Sequence, residues 1–286
     1  MSELTRKTPE PAADWAARLR ALTPARVGLG RTGVSLSTAD FLHFQRAHAQ
    51  ARDAVHAHLD AGSLAAVLAG FTSGEVLCLR SAAPDRATYL QRPDLGRRLD
   101  EPSRLLLAKH ARREPDGYDL AAIVADGLSA LAAERHAAGV LAALLPQLAG
   151  WRLAPLTVVE QGRVAIGDEI GAALGAQIAV VLLGERPGLS APDSLGAYIT
   201  WEPRPGRTDA ERNCISNIRA EGLTYAQAAA DLGVILNAAR QRRLTGVALK
   251  NTFSSAGGGM LPKPGSLTPE SGGASPMNAG HLPEKG

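Results

Sequence analysis

The chain is predicted to be an α/β protein, a Rossmann-like parallel sheet domain preceded by a mainly helical amino-terminal region. Three observations predict it. Short apolar runs at 120–125, 156–160, 177–183 and 195–201 alternate with helical patterns, their connections are short, and the runs leave through turns rich in Asp and Gly. A strand buried on both faces reads as a continuous apolar run, which is the signature of a parallel sheet covered by helices.

Residues 1–24 are polar and Ala-rich with Pro9, Pro11 and Pro24, and are expected to form a flexible arm that gains order against a partner. Residues 25–116 form the mainly helical region. From Thr38 to Leu59 the residues Phe41, Leu42, Phe44, Val55 and Leu59 fall on helical spacing, with Ser37 or Thr38 as N-cap. A short strand at 75–79 follows, then the turn Arg92-Pro93-Asp94-Leu95-Gly96 and a helix from Pro102 to Arg112.

Residues 117–250 form the sheet domain. A strand over Leu120 to Ala125, the turn Asp126-Gly127 and a helix from Ser129 to Ala149 open a βαβ unit. Strands at 156–160, 177–183 and 195–201 continue it, with a short helix from Asp168 to Leu174 ended by Gly175. The last helix spans Thr224 to Arg243, where Thr224 and Gln227 have capping-box spacing. Residues 251–286 are rich in Gly, Ser and Pro and read as a disordered tail.

Composition bounds the function. Hydrophobic residues make up 45% and aromatics only 4%, so the core is built mostly from Ala, Leu and Val. The net charge of +3, from 31 basic and 28 acidic residues, does not make the strong field that nucleic acid binding uses. The Arg pairs at 97–98 and 112–113 have acidic neighbours and no aromatic stacking platform, so they read as solvated faces or subunit contacts. The chain carries no apolar run of the roughly 20 residues a membrane span needs, and no secretory leader, so a cytoplasmic setting is expected. Cys78 and Cys214 have neither disulfide-framework nor zinc spacing.

Two motifs mislead. Gly28 to Gly33 is a formal G-x-G-x-x-G, but a dinucleotide turn must leave a strand and open a helix, with an acidic residue about 20 residues on. Here the preceding residues make a poor strand and Asp53 lies inside a predicted helix. Histidines 43, 48, 56 and 58 share one predicted helix, yet none forms the i, i+4 pair that puts two imidazoles on one face.

The turns after the strands carry more. Ligands of open α/β sheets sit at the carboxyl ends of the strands, where the chain places Asp126, the Gln161–Val164 turn and Glu185. Gly184 and Gly188 let backbone approach a large ligand, and Pro187 stiffens the loop. The residues alone lead to a binding site of unknown ligand, with a tight structural turn as the other reading.

Several motifs recur in order: A-R-V-x-x-G-R-x-G from Ala25, T-Y-L-Q-R-P-D-L-G-R-R-L from Thr88, I-V-A-D-G-L-S from Ile123, Q-G-R-V from Gln161, D-E-I-G from Asp168, G-E-R-P-G from Gly184 and N-C-I-S-N from Asn213. Together, as far as about Lys250, the chain resembles the small subunit of ethanolamine ammonia-lyase. That resemblance implies a non-catalytic, cofactor-binding subunit of an adenosylcobalamin-dependent carbon–nitrogen lyase, joined in a hetero-oligomer to a TIM-barrel large subunit that holds ethanolamine. It implies radical conversion of ethanolamine to acetaldehyde and ammonia, and cofactor contacts at Val164, Glu185 and Cys214. It also implies base-on cofactor, with dimethylbenzimidazole as lower ligand; the chain lacks the D-x-H-x-x-G run that supplies a histidine instead. The setting implied is the bacterial cytoplasm, in some members a bacterial microcompartment, although the amino-terminal arm here is shorter than in members with a longer extension. The competing expectation from the residues is a free-standing Rossmann-like nucleotide-binding protein.

Overall fold

The computed structural model describes residues 13–23, 25–111 and 116–249. The tail expected over 251–286, most of the arm, and Arg112 and Arg113 lie outside the described residues. The described residues begin with α1 (Ala13–Leu22), a hairpin of β1 (Arg31–Thr32) and β2 (Ser35–Leu36), α2 (Thr38–His56) and α3 (Ala61–Leu68). Next come β3 (Leu77–Arg80), α4 (Arg86–Gln91) and α5 (Glu101–Ala111). The remaining elements are β4 (Tyr118–Ala125), α6 (Ala130–Leu144), β5 (Thr157–Glu160), α7 (Ile166–Ala173), β6 (Ala176–Gly184), β7 (Leu195–Trp201), β8 (Arg212–Ile218) and α8 (Tyr225–Arg242).

Several helices start where short polar side chains accept orphan backbone N–H groups, whereas α7 starts from Ala165 without a side-chain cap. Ser37 Oγ accepts from Asp40 N–H at 3.1 Å and Ser129 Oγ from Ala132 N–H at 3.3 Å. Thr224 and Gln227 form the reciprocal capping box expected from their spacing. Gly175 takes a φ of +66° just beyond α7, as a helix-ending glycine should.

Six strands form one sheet in the order β3-β5-β4-β6-β7-β8. The first four are parallel, and β7 and β8 run antiparallel to their neighbours. The sheet is therefore mostly parallel but not wholly so, because a short loop after β6 turns β7 straight back where a parallel strand would need a helical crossover. Strand β3, in the region expected to be mainly helical, pairs with β5 from Leu77–Thr157 to Arg80–Glu160, so the sheet starts well before residue 117.

Both faces are covered. Leu120, Ala122, Val124, Ile178, Val180 and Leu182 pack on one side with α6 and α8, whereas Ala121, Ile123, Ala125, Ala179 and Val181 pack on the other with α5 and α7. This alternation follows from the period of two along a strand. The helix after β4 thus lies on one face and the helix after the adjacent β5 on the other. Their connections diverge at the carboxyl ends of β4 and β5, the place where open α/β sheets leave a crevice.

A candidate cofactor cleft at the carboxyl ends of the strands

The crevice is anchored by Asp126, the first residue after β4. It is fully buried; Oδ1 accepts from Gly162 N–H at 3.0 Å and Oδ2 lies 3.3 Å from Arg86 Nη1. Burial raises its pKa to about 6 against the opposing pull of the Arg86 charge and of three backbone N–H groups. Arg86, also buried, donates through Nε to Val55 O at 2.7 Å and through Nη1 to Gly127 O at 2.8 Å. The loop after β5 is thereby tied to the loop after β4.

Gln161 opens the Q-G-R-V turn at φ +57°, a left-handed conformation rare for a residue with a long side chain. Its Oε1 accepts from Arg86 Nη1 at 3.4 Å. The next carbonyl, Gly162 O, accepts from the buried Tyr89 hydroxyl at 2.9 Å. Both Arg86 and Arg163 lie over the Tyr89 ring, at 4.9 and 4.3 Å from its centroid. Burial raises the Tyr89 pKa above its ordinary value, and nearby Asp126 adds to the rise, so the hydroxyl stays a donor.

The loop after β6 comes very close to the loop after β4. A Cβ on Gly184 would collide with the carbonyl oxygens of Ser129 and Asp126, while Leu128 N–H donates to Gly184 O at 2.8 Å. Only glycine lets the two strand ends meet there.

Glu185 follows at once. Its carboxylate accepts from the Ser194 hydroxyl, from the Ser216 hydroxyl at 2.6 Å and from Asn217 N–H at 3.2 Å. The G-E-R-P-G loop is therefore latched to the end of the N-C-I-S-N motif, which forms strand β8 and turns at Asn217 with φ +62°. On β7, Gly196 makes room for the latch: a Cβ there would stand 2.9 Å from Glu185 Oε1.

These loops enclose a cleft of about 830 Å³. Val164 and Glu185, from separate motifs, both line it. Cys214 does not, although Arg212 and Ser216, two residues to either side on the same strand, do. Cys214 is exposed on β8 opposite Tyr198, a cleft residue whose pKa is raised first by burial and then by Cys214 and Glu185. The structure thus brings two of the three expected residues together and sets the third beside them.

Sequence reasoning missed Tyr89, Arg86, Ser194 and Ser216. Tyr89 lies inside the quoted T-Y-L-Q-R-P motif; the serines have no local signal. D-E-I-G is a brace: Asp168 receives two hydrogen bonds of 2.6 Å from Arg212 on β8, and Glu169 receives Leu99 N–H at 2.8 Å and Arg104 Nε at 2.6 Å.

The misleading motifs resolve by position. Gly33 takes φ +66° in the β1–β2 hairpin turn, so the G-x-G-x-x-G run opens no helix. The four clustered histidines are exposed, and among the described residues no group of His, Cys, Asp and Glu could hold a metal ion. No single described helix is long and apolar enough to cross a membrane.

The model of the family described as "Ethanolamine ammonia-lyase light chain (EutC)" matches residues 13–250. The chain belongs to the ethanolamine ammonia-lyase light-chain family. It is 58% identical over 243 residues to an ethanolamine ammonia-lyase small subunit of Xanthomonas campestris, covering 84% of this chain and 89% of that one. Small subunits of Pseudomonas syringae (56% over 243 residues; 84% of each chain) and Pseudomonas putida (56% over 247 residues; 86% of this chain, 90% of the relative) are similar to it as well. As a light-chain family member it is a component of a lyase. The matched span contains every strand of the six-stranded sheet and every loop of the cleft.

Proposed function

We propose that this light chain closes one side of an adenosylcobalamin site at its boundary with the large subunit of ethanolamine ammonia-lyase, in a hetero-oligomer. The observation that carries the reading is the meeting of Val164 and Glu185, from two separate motifs, in one cleft at the carboxyl ends of the parallel strands. The free-standing nucleotide-binding alternative has less support, since the light-chain family accounts for residues 13–250 and the G-x-G-x-x-G run turns a hairpin.

The residues present fit the cofactor by chemistry. A corrin is rimmed by methyl groups and amide side chains, so it offers apolar surface to Val164 and N–H donors to the carboxylate of Glu185. The buried Nε of Arg163 lacks a hydrogen-bond partner among the described residues, which suits a ligand with acceptor oxygens. When bound, the cofactor supplies the radical chemistry by homolysis of its cobalt–carbon bond, and the large subunit, a TIM barrel, holds ethanolamine. This chain's part is to hold the corrin edge, fix its orientation and exclude water from that side. Base-on binding fits the absence of a D-x-H-x-x-G run. The enzyme works in the bacterial cytoplasm, free or within a microcompartment.

Glu185→Gln should weaken cobalamin binding by about 1.5–3 kcal/mol, the range of a charged hydrogen bond. The variant replaces an oxygen that accepts Ser216 or Asn217 with a donor, so the latch and the charge go together. Equilibrium dialysis of hydroxocobalamin against the assembled complex reads the effect, and unchanged affinity would remove Glu185 from the site. Gly196→Ala, which displaces Glu185 while leaving its charge, should weaken binding about tenfold, with unaltered circular dichroism as the control.

A further inference from the structure

We propose that Arg97, Arg163 and Arg186 form an anion subsite in the cleft and take the phosphodiester of the cofactor's nucleotide loop. The proposal rests on the cobalamin reading and extends it from the corrin edge to the tail of the cofactor. Five arginines line the cleft, and they divide by what they already hold. Arg212 is paired with Asp168 and Arg207 with Glu211 at 2.5 Å. For Arg97 and Arg186 no side-chain partner exists among the described residues, and Arg163 has only a 3.4 Å contact from Nη2 to Tyr89 O.

Arg163 is the most constrained of the three. It is half-buried, its guanidinium is stacked on Tyr89, and its Nε is buried without a hydrogen-bond partner. Leaving a charged donor in that condition is costly unless a ligand completes it. Its backbone N–H donates to Gly96 O at 2.8 Å, which sets it beside Arg97. A Cβ on Gly96 would stand 2.9 Å from Arg163 Cγ, so the glycine gives the side chain its path. Arg186 enters the cleft from the loop after β6, next to Glu185, whose carboxylate is turned to Ser194, Ser216 and Asn217.

Unpaired guanidinium forks match phosphate oxygens in geometry as well as charge. A phosphodiester stays a monoanion across the working pH range, so its capture should depend on salt and hardly on pH.

The test uses the assembled complex with the large subunit and compares variants within each of two ligands. Hydroxocobalamin carries the nucleotide loop; cobinamide has the same corrin without that loop or its phosphate. Arg163→Gln, and separately the double variant Arg97→Gln/Arg186→Gln, should weaken hydroxocobalamin binding in calorimetry by about tenfold to hundredfold. Cobinamide affinity should not change, and Arg163→Lys should recover much of the loss. Equal weakening of both ligands, or loss of subunit association, would place these arginines on the corrin or the partner and overturn the proposal. Inorganic phosphate alone is the third probe. Heat stabilisation of the wild-type complex by millimolar phosphate, abolished in Arg163→Gln, would show a free-anion site and overturn the assignment to the nucleotide loop. A wild-type complex that binds neither corrin would defeat the cobalamin reading itself, whereas binding of both with no difference between variants defeats only the subsite.

Discussion

Asp126→Ala should cost about 3–5 kcal/mol of folding stability, measured by urea denaturation, because it leaves the buried Arg86 guanidinium without its counter-charge. The loss would spread beyond one ion pair. Gly162 N–H, which fixes the start of the Q-G-R-V loop, would lose its acceptor as well. Asp126→Asn keeps an acceptor oxygen in place and should cost less, and the gap between the two variants separates hydrogen bonding from charge.

The same carboxyl makes a pH signature. Its folded pKa, about 6, lies above the ordinary 3.8, so protonation favours the folded state. The stabilising contribution is full below about pH 3.8 and is lost as pH rises through about 6. Wild type should therefore gain stability relative to Asp126→Asn as pH falls from 7 to 4. A constant difference across that range would mean the carboxyl titrates at its ordinary value.

Asp168→Ala should have an effect of similar size, about 3–5 kcal/mol, since Arg212 would be left buried with its two charged hydrogen bonds gone. Arg212 Nη1 also donates to Thr200 Oγ1 at 2.9 Å and Nη2 to Arg207 O at 3.0 Å, so the guanidinium cannot simply turn out to solvent. The brace joins α7, which starts two residues after Val164, to β8, which carries Cys214 and Ser216. Loss of stability should thus come with weaker cofactor binding even where the variant stays folded. A paired replacement, Asp168→Leu with Arg212→Met, should restore most of the stability, because it removes both desolvated charges together. If the pair were as unstable as the single variant, packing rather than charge would be the cause.

Most of the architecture was legible because its signals are local. The caps at Ser37 and Thr224, the helix start at Ser129 and the apolar runs of β4 and β6 announce themselves within a few residues. Strand β8 was missed for an equally physical reason. Arg-Asn-Cys-Ile-Ser-Asn-Ile reads as polar, and its Arg212 and Asn213 are buried only because Asp168 and Gly246, distant in sequence, meet them. The antiparallel direction of β7 was hidden because a buried strand has the same composition whichever way it runs.

The site divides in the same way. Strand-end loops with glycine were visible as the place of a crevice, and the family motifs singled out Val164, Glu185 and Cys214 as expected contacts. The Arg86–Asp126–Gln161–Tyr89 network was not visible, since its members come from α4 and from the loops after β4 and β5 and meet only after the sheet assembles. Nor could spacing reveal that Glu185 is latched by Ser194 and Ser216.

The role proposed for this chain is to complete a cobalamin-dependent lyase from the light-chain side. The most direct measurement is ammonia-lyase activity of a large subunit with adenosylcobalamin and ethanolamine, with and without this chain, following acetaldehyde by coupled NADH oxidation. Turnover is expected only when the chain is present; activity unchanged by its omission would contradict that role.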